Sequence, residues 1–86
     1  MDRQYAYKIA IEALEGMRSV PASDLLKHIG SPQRSTLSGP DGQTYFLDVA
    51  VARLARQSGA RVTATVDLGS SFKLERVEEH IEIVDD

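Results

Sequence analysis

The sequence predicts a single α+β domain, with two N-terminal helices packed on one face of a three- to four-stranded antiparallel meander. Three observations carry that expectation. Apolar residues recur at helical spacing through the first thirty positions, and after Gly30 the period shortens to two. Between the first two alternating runs stands Gly39-Pro40-Asp41-Gly42, a turn sequence with a physical mechanism.

The first helix is expected over residues 3–18. Asp2 can cap it, because a carboxylate there accepts the unpaired amide hydrogens of the first turn. Gln4, Lys8, Glu12 and Glu15 fall on one polar stripe, opposite Ala6, Ile9, Ala10, Ala13, Leu14 and Met17. Small residues at the centre of that face allow a close approach to a sheet. Tyr5 and Tyr7 flank it and are expected to half-bury their rings. Pro21 prevents continuation and suits the start of a second helix over residues 21–29. There Ala22, Leu25, Leu26 and Ile29 mark one apolar face, and Gly30 is a natural stop.

Strands are expected at about 33–38, 43–56, 60–67 and 71–76, with residues 80–84 as a further extended piece. Pro40 presets φ at the second turn position, Asp41 tolerates the third, and Gly42 supplies a left-handed residue. Tyr45, Leu47, Val49 and Val51 then alternate with Phe46, Asp48, Ala50 and Ala52, and Val62, Ala64 and Val66 alternate with polar neighbours. Leu47–Gly59 also fits a helix, since alanine and arginine favour one. The tight turn just before it and the valines within it favour a strand. Leu68-Gly69-Ser70 closes the next hairpin.

At 86 residues the core is thin: a chain this short buries roughly 60–65% of the surface its unfolded form exposes. No cysteine is present to reinforce it by disulfide or thiolate–metal bonds. Met1-Asp2-Arg3-Gln4 is polar with no apolar run of signal-peptide length behind it, and no segment nears the roughly 20 apolar residues that span a bilayer. The expected setting is soluble and cytoplasmic, without membrane contact. Net charge is −3, distributed as balance over residues 1–30, +2 over 31–76 and −5 over 77–86. An acidic end after a mildly basic middle works against nucleic-acid binding, which needs uncovered positive surface.

The search for chemistry turns up few groups. His28 and His80 lie far apart and belong to no metal or nucleophile spacing. Glu78, His80 and Glu82 would share a face of an extended segment and are the weak candidates for a metal site; a charged surface strand is the plainer reading. Asp48 is the most interesting carboxylate, and its ordinary role is an ion pair across strands with Arg61 or Arg34. No serine lies in a nucleophile-elbow sequence. Gly39, Pro40, Asp41 and Gly42 do not suit phosphate, because proline removes an amide, aspartate adds repulsive charge and no lysine follows. No catalytic residue and no cofactor are expected.

Residues 21–38 have the cadence of a helix-turn-helix, with Ser31-Pro32 starting a second helix through Leu37 and the following strands as a wing. Arg34, Arg53, Arg56 and Arg61 would then be the cations available to nucleic acid. Such a recognition helix would carry Arg34 as its one cation and stop after about two turns.

Two short helices ending in Leu25-Leu26-x-x-Ile29-Gly30, then Gly39-Pro40-Asp41-Gly42-x-x-Tyr45 and antiparallel strands, resemble a group of small uncharacterised bacterial proteins. The chain departs from that group at Gly59-Ala60, where such proteins have a longer, more polar connection. The resemblance implies a bacterial setting and this fold class. It brings no activity, cofactor or catalytic residue.

The function these readings favour is a non-catalytic interaction or accessory module acting through protein–protein contacts, with an unknown protein partner or as a homodimer. A thin core and uncovered strand edges motivate the dimer. The alternative is a winged-helix-like DNA-binding regulator using residues 21–38, and catalysis would need a pocket built on Asp48 or His28.

Overall fold

A computed structural model describes residues 1–69 and 75–85. Helix α1 (Arg3–Met17) leads into a short helix α2 (Ala22–Leu25), which tightens into a 3-10 turn over Leu26–His28. Four strands follow: β1 (Gln33–Ser38), β2 (Thr44–Arg53), β3 (Gly59–Asp67) and β4 (Arg76–Val84), paired antiparallel in the order β1-β2-β3-β4. Helices occupy one face of the sheet, so the architecture is α+β with two layers.

α1 begins where the sequence places it. Asp2 adopts extended geometry and its carboxylate accepts the Tyr5 amide hydrogen at 3.0 Å. Ala6, Ile9, Ala10 and Leu14 are buried against Ala60, Val62, Ala64 and Val66 of β3 and Val77 of β4. Alanines on both surfaces let the helix lie close to the sheet. Leu14, 1% exposed, is the largest fully buried side chain of α1; burying it is worth about 2–3 kcal/mol.

The second helical segment is shorter and tighter than the predicted 21–29. Pro21 sits at its N-cap, with its carbonyl accepting the amides of Asp24 and Leu25. Only Ala22–Leu25 is α-helical, and the 3-10 turn that follows breaks the i, i+7 relation on which Ile29 depended. Ile29 is extended and 40% exposed rather than on the apolar face. Gly30 takes positive φ immediately after.

β2 is a strand, not a helix, because it is an interior strand paired with β1 on one side and β3 on the other. It ends at Arg53, earlier than the predicted 56, since the amide of Leu54 donates to the Gly59 carbonyl and closes the β2–β3 hairpin there. The strand expected over 71–76 lies mostly outside the described residues. The last strand starts at Arg76, not at His80: Val77, Ile81 and Ile83 point to the helix face, and Glu79 shares that face half-buried. The adjacent Glu78-Glu79 hides this alternation from a pattern reading.

The Gly39–Gly42 corner joins β1 to β2 as a three-residue bulged hairpin. The Gly42 amide donates to the Gly39 carbonyl at 3.1 Å, and the Gly39 amide donates to the Gln43 carbonyl at 2.8 Å. Gly42 has φ 79°, the left-handed conformation the turn demands. Gly39 is needed for a different reason: a Cβ there would overlap the Tyr45 ring.

Candidate functional site: an open strand edge beside an apolar pocket

β1 forms one edge of the sheet, and five of its six residues are exposed; only Leu37 is half-buried. Which of its backbone groups face outward follows from the hairpin. Gly39 and Gln43 form a hydrogen-bonded pair, and such pairs alternate along an antiparallel ladder. The backbone groups of Leu37, Ser35 and Gln33 therefore point toward β2. Those of Ser38, Thr36 and Arg34 point away from the sheet. An independent contact agrees: the Tyr5 hydroxyl donates to the outward Ser38 carbonyl at 3.2 Å.

Behind this edge, on the helix face, lies a pocket of about 190 Å³. Met17, Val20, Leu25, Val49 and Val51 supply its apolar wall, with Asp24, His28, Ser31 and Gln33 at the margin. It exists because α1 lies mainly over β3 and β4, α2 packs on β3, and only the 3-10 turn Leu26–His28 reaches over part of β2. Leu47, Val49 and Val51 remain partly buried for the same reason. His28 lies on this pocket; Asp48 is on the opposite face of the sheet.

A polar chain ties the turn at the far end of β1 to the start of α1. The Tyr45 hydroxyl donates to Asp41 Oδ2 at 2.7 Å and accepts the Asp2 backbone amide, also at 2.7 Å. Gln43 donates its amide to Asp41 Oδ1 at 3.2 Å. Tyr45 is fully buried, and the Tyr5 ring meets it edge-on at 4.9 Å between centroids. The hydrogen bond from the Tyr45 hydroxyl is the main reason the Asp41 carboxyl ionises below its ordinary 3.8. Burial, then the bond to Asp41, pushes the Tyr45 hydroxyl above its ordinary 10.0.

These shifts have opposite consequences along the pH axis. A depressed carboxyl stabilises the fold fully above 3.8, and that contribution disappears as pH falls through the lower folded value. The raised hydroxyl contributes below pH 10.0 and loses its contribution as pH rises through the folded value. Tyr45→Phe removes the bond to Asp41 and leaves the Asp2 amide without its acceptor. Its melting temperature is expected to fall by about 5 °C or more. Thermal melts of the variant between pH 5 and 2.5 should also show a shallower loss of stability than those of the native chain. Parallel curves would remove Tyr45 as the cause of the Asp41 shift.

The open face of the sheet is closed chemically by its own ion pairs. Arg34 Nε contacts Asp48 at 3.1 Å, its Nη2 lies 3.8 Å from Asp67, and its Cζ stands 4.6 Å over the Phe46 ring. Arg61 pairs with Glu82 at 2.9 Å and Arg76 with Glu78 at 3.1 Å. Each pair is partly solvated and contributes about 0–1 kcal/mol. Asp48 thus takes the cross-strand role its position suggests, with Arg34 as the partner.

The remaining sequence candidates separate. Glu78, His80 and Glu82 do share the open face of β4, but both glutamates turn toward arginines. Among the described residues no three His, Cys, Asp or Glu side chains group to hold a metal ion. Arg53 ends β2, and Arg56 lies in the following turn, where it lines an open hollow of about 310 Å³ with Arg61 and Glu82. Arg34, Arg53, Arg56 and Arg61 do not form one uncovered basic stripe, since Arg34 and Arg61 are held by carboxylates. The helix that a winged-helix reading requires over Pro32–Leu37 is absent, because Gln33–Ser38 is a strand. The hairpin closed at Gly39–Gly42 draws that segment into the sheet.

Sequence reasoning missed two features of this region. The Asp2–Tyr45–Asp41 chain joins residues that a pattern reading assigned to a cap, a strand face and a turn. The free edge of β1 shows only indirectly, as a strand with polar residues on both faces and Leu37 as its one large apolar side chain.

No protein-family model, curated protein or solved structure matches the chain. The site therefore rests on its own geometry. Among the described residues no helix is long and apolar enough to cross a membrane.

Proposed function

We propose that this chain is a small non-catalytic interaction module that works through protein–protein contacts in the cytoplasm of a bacterial cell. The observation that carries the reading is the β1 edge, a strand whose outward backbone groups no other strand among the described residues satisfies. An exposed edge of this kind is a template for a further strand, supplied by another chain. The other edge is guarded differently. β4 carries Glu78, Glu79 and Glu82 along nine residues, two of them ion-paired with arginines, so a strand added there meets charged side chains on both faces. The pairing of Asp48, Asp67, Glu78 and Glu82 with arginines favours binding over acid–base chemistry. Freedom from cysteine suits a reducing compartment.

In-cell photo-crosslinking tests the reading. A photoreactive residue in place of Ser35 is expected to trap protein, whereas one in place of Glu82 on β4 traps little. Absence of any protein adduct from position 35, with the variant folded, would overturn the module reading. The adduct's mass also reports whether the captured chain is this one or another.

A further inference from the structure

We propose that the occupant of the β1 edge is a second copy of the same chain, joined antiparallel about a two-fold axis centred on Ser35. This rests on the interaction-module reading and deepens it by naming the partner.

The argument starts from the backbone. In this register Arg34 faces the partner's Thr36, and both residues have outward amide and carbonyl groups. Each supplies the donor that the other's carbonyl requires, and symmetry repeats the exchange on the other side of the axis. One step out, Pro32 faces the partner's Ser38. Proline has no amide hydrogen to offer, and the Ser38 carbonyl does not need one, because Tyr5 already donates to it. The Ser38 amide is left free to reach the partner's Pro32 carbonyl. A two-fold centred one residue later, on Thr36, aims the Arg34 amide at the occupied Ser38 carbonyl instead. The edge is complementary to itself at the Ser35 register and mismatched at the next.

Side chains and charge agree with that register. On the helix face Gln33, which borders the apolar pocket, meets the partner's Leu37. On the open face Arg34 meets the partner's Thr36, so no like charges oppose along the seam. At the ends, the segment before β1 carries Lys27, an exposed ammonium 3.5 Å from Asp24, and the turn after β1 carries Asp41. Antiparallel pairing brings the Lys27 end of each copy toward the Asp41 turn of the other, twice in the assembly. A two-fold contact also closes on itself, which leaves β4 as the outer edge of an eight-stranded sheet, guarded by its glutamates.

A six-residue edge spans about 20 Å, which is short for an interface, so a reversible dimer in the micromolar range is the expected strength. The experiment is sedimentation equilibrium of the full chain from 5 to 500 µM, at low and moderate salt. The native chain is expected to shift from one to two monomer masses across that range, with salt weakening the association. Thr36→Pro removes an outward amide that β2 does not use. It is expected to weaken the dimer at least tenfold while keeping the native circular dichroism spectrum. Lys27→Glu, a substitution at an exposed residue outside the strand, should weaken it by about fivefold.

A chain that stays monomeric to 500 µM overturns the proposal but leaves the module reading to the crosslinking result. So does a dimer that Thr36→Pro leaves intact. If Thr36→Pro fails to fold, Lys27→Glu and the salt dependence decide: a dimer indifferent to both is not this one. A monomer whose Ser35 position crosslinks a different protein also overturns the self-pairing and keeps the module.

Discussion

Gly39→Ala is expected to lower the stability of the fold by about 2–3 kcal/mol, because the added methyl group has no space beside the Tyr45 ring. The new carbon would overlap the Tyr45 ring, and that ring has nowhere to go. It is fully buried, stacked edge-on with Tyr5, and fixed at its hydroxyl by Asp41 and Asp2. Relief requires either the turn or the ring to shift, and both carry the connection between β1 and α1. In a domain of this size the loss corresponds to roughly 10–20 °C in melting temperature, measured by circular dichroism. A variant melting within 3 °C of the native chain would show that the turn and ring are less tightly coupled than the geometry says.

Leu14→Ala is expected to cost about 3–4 kcal/mol, measured by urea unfolding followed at the β-sheet signal. Leu14 is 1% exposed and belongs to the core that α1 forms with α2 and strands β2, β3 and β4. The surrounding alanines and valines have short side chains and cannot lean in to fill the space. Against the roughly 5–8 kcal/mol that a small domain has in total, the variant would be substantially unfolded at physiological temperature. A loss below about 1 kcal/mol would mean that α1 is held mainly by its ends rather than by its apolar face.

These two expectations differ in how far the sequence discloses them. Leu14 is legible, because its place on a helical apolar face follows from spacing alone. Gly39 is only half legible. A turn at 39–42 is plain from composition, yet the reason for glycine at its first position lies in the Tyr45 ring, which folds back under the corner. The cross-strand partner of Asp48 was readable as one of two arginines, since the hairpin fixes which residues oppose. Ile29 was not readable, because tightening from α to 3-10 geometry is decided by how the second segment docks beside β2. The start of β4 at Arg76 was hidden by Glu78 and Glu79, charged residues that an edge strand tolerates on both faces.

The candidate site was less legible than the fold. Sequence patterns locate side chains, and the feature that matters at β1 is the direction of backbone groups. That direction depends on which pair closes the hairpin, Gly39 with Gln43, and it alternates from there along the strand. A shift of one position would exchange every inward group for an outward one. Composition suggested that an edge was open, and the hydrogen-bonded turn says which amides it offers.

The most direct measurement is amide hydrogen exchange at single-residue resolution along β1, made at 10 µM and at 500 µM. Ser35 and Leu37 should be protected at both concentrations, since β2 holds their amides. Arg34, Thr36 and Ser38 should exchange freely in dilute protein and slow by at least tenfold in concentrated protein, as a second copy takes them up. If those three amides exchange at the same rate at both concentrations, the β1 edge does not pair with another copy, and the self-association inferred from it is wrong.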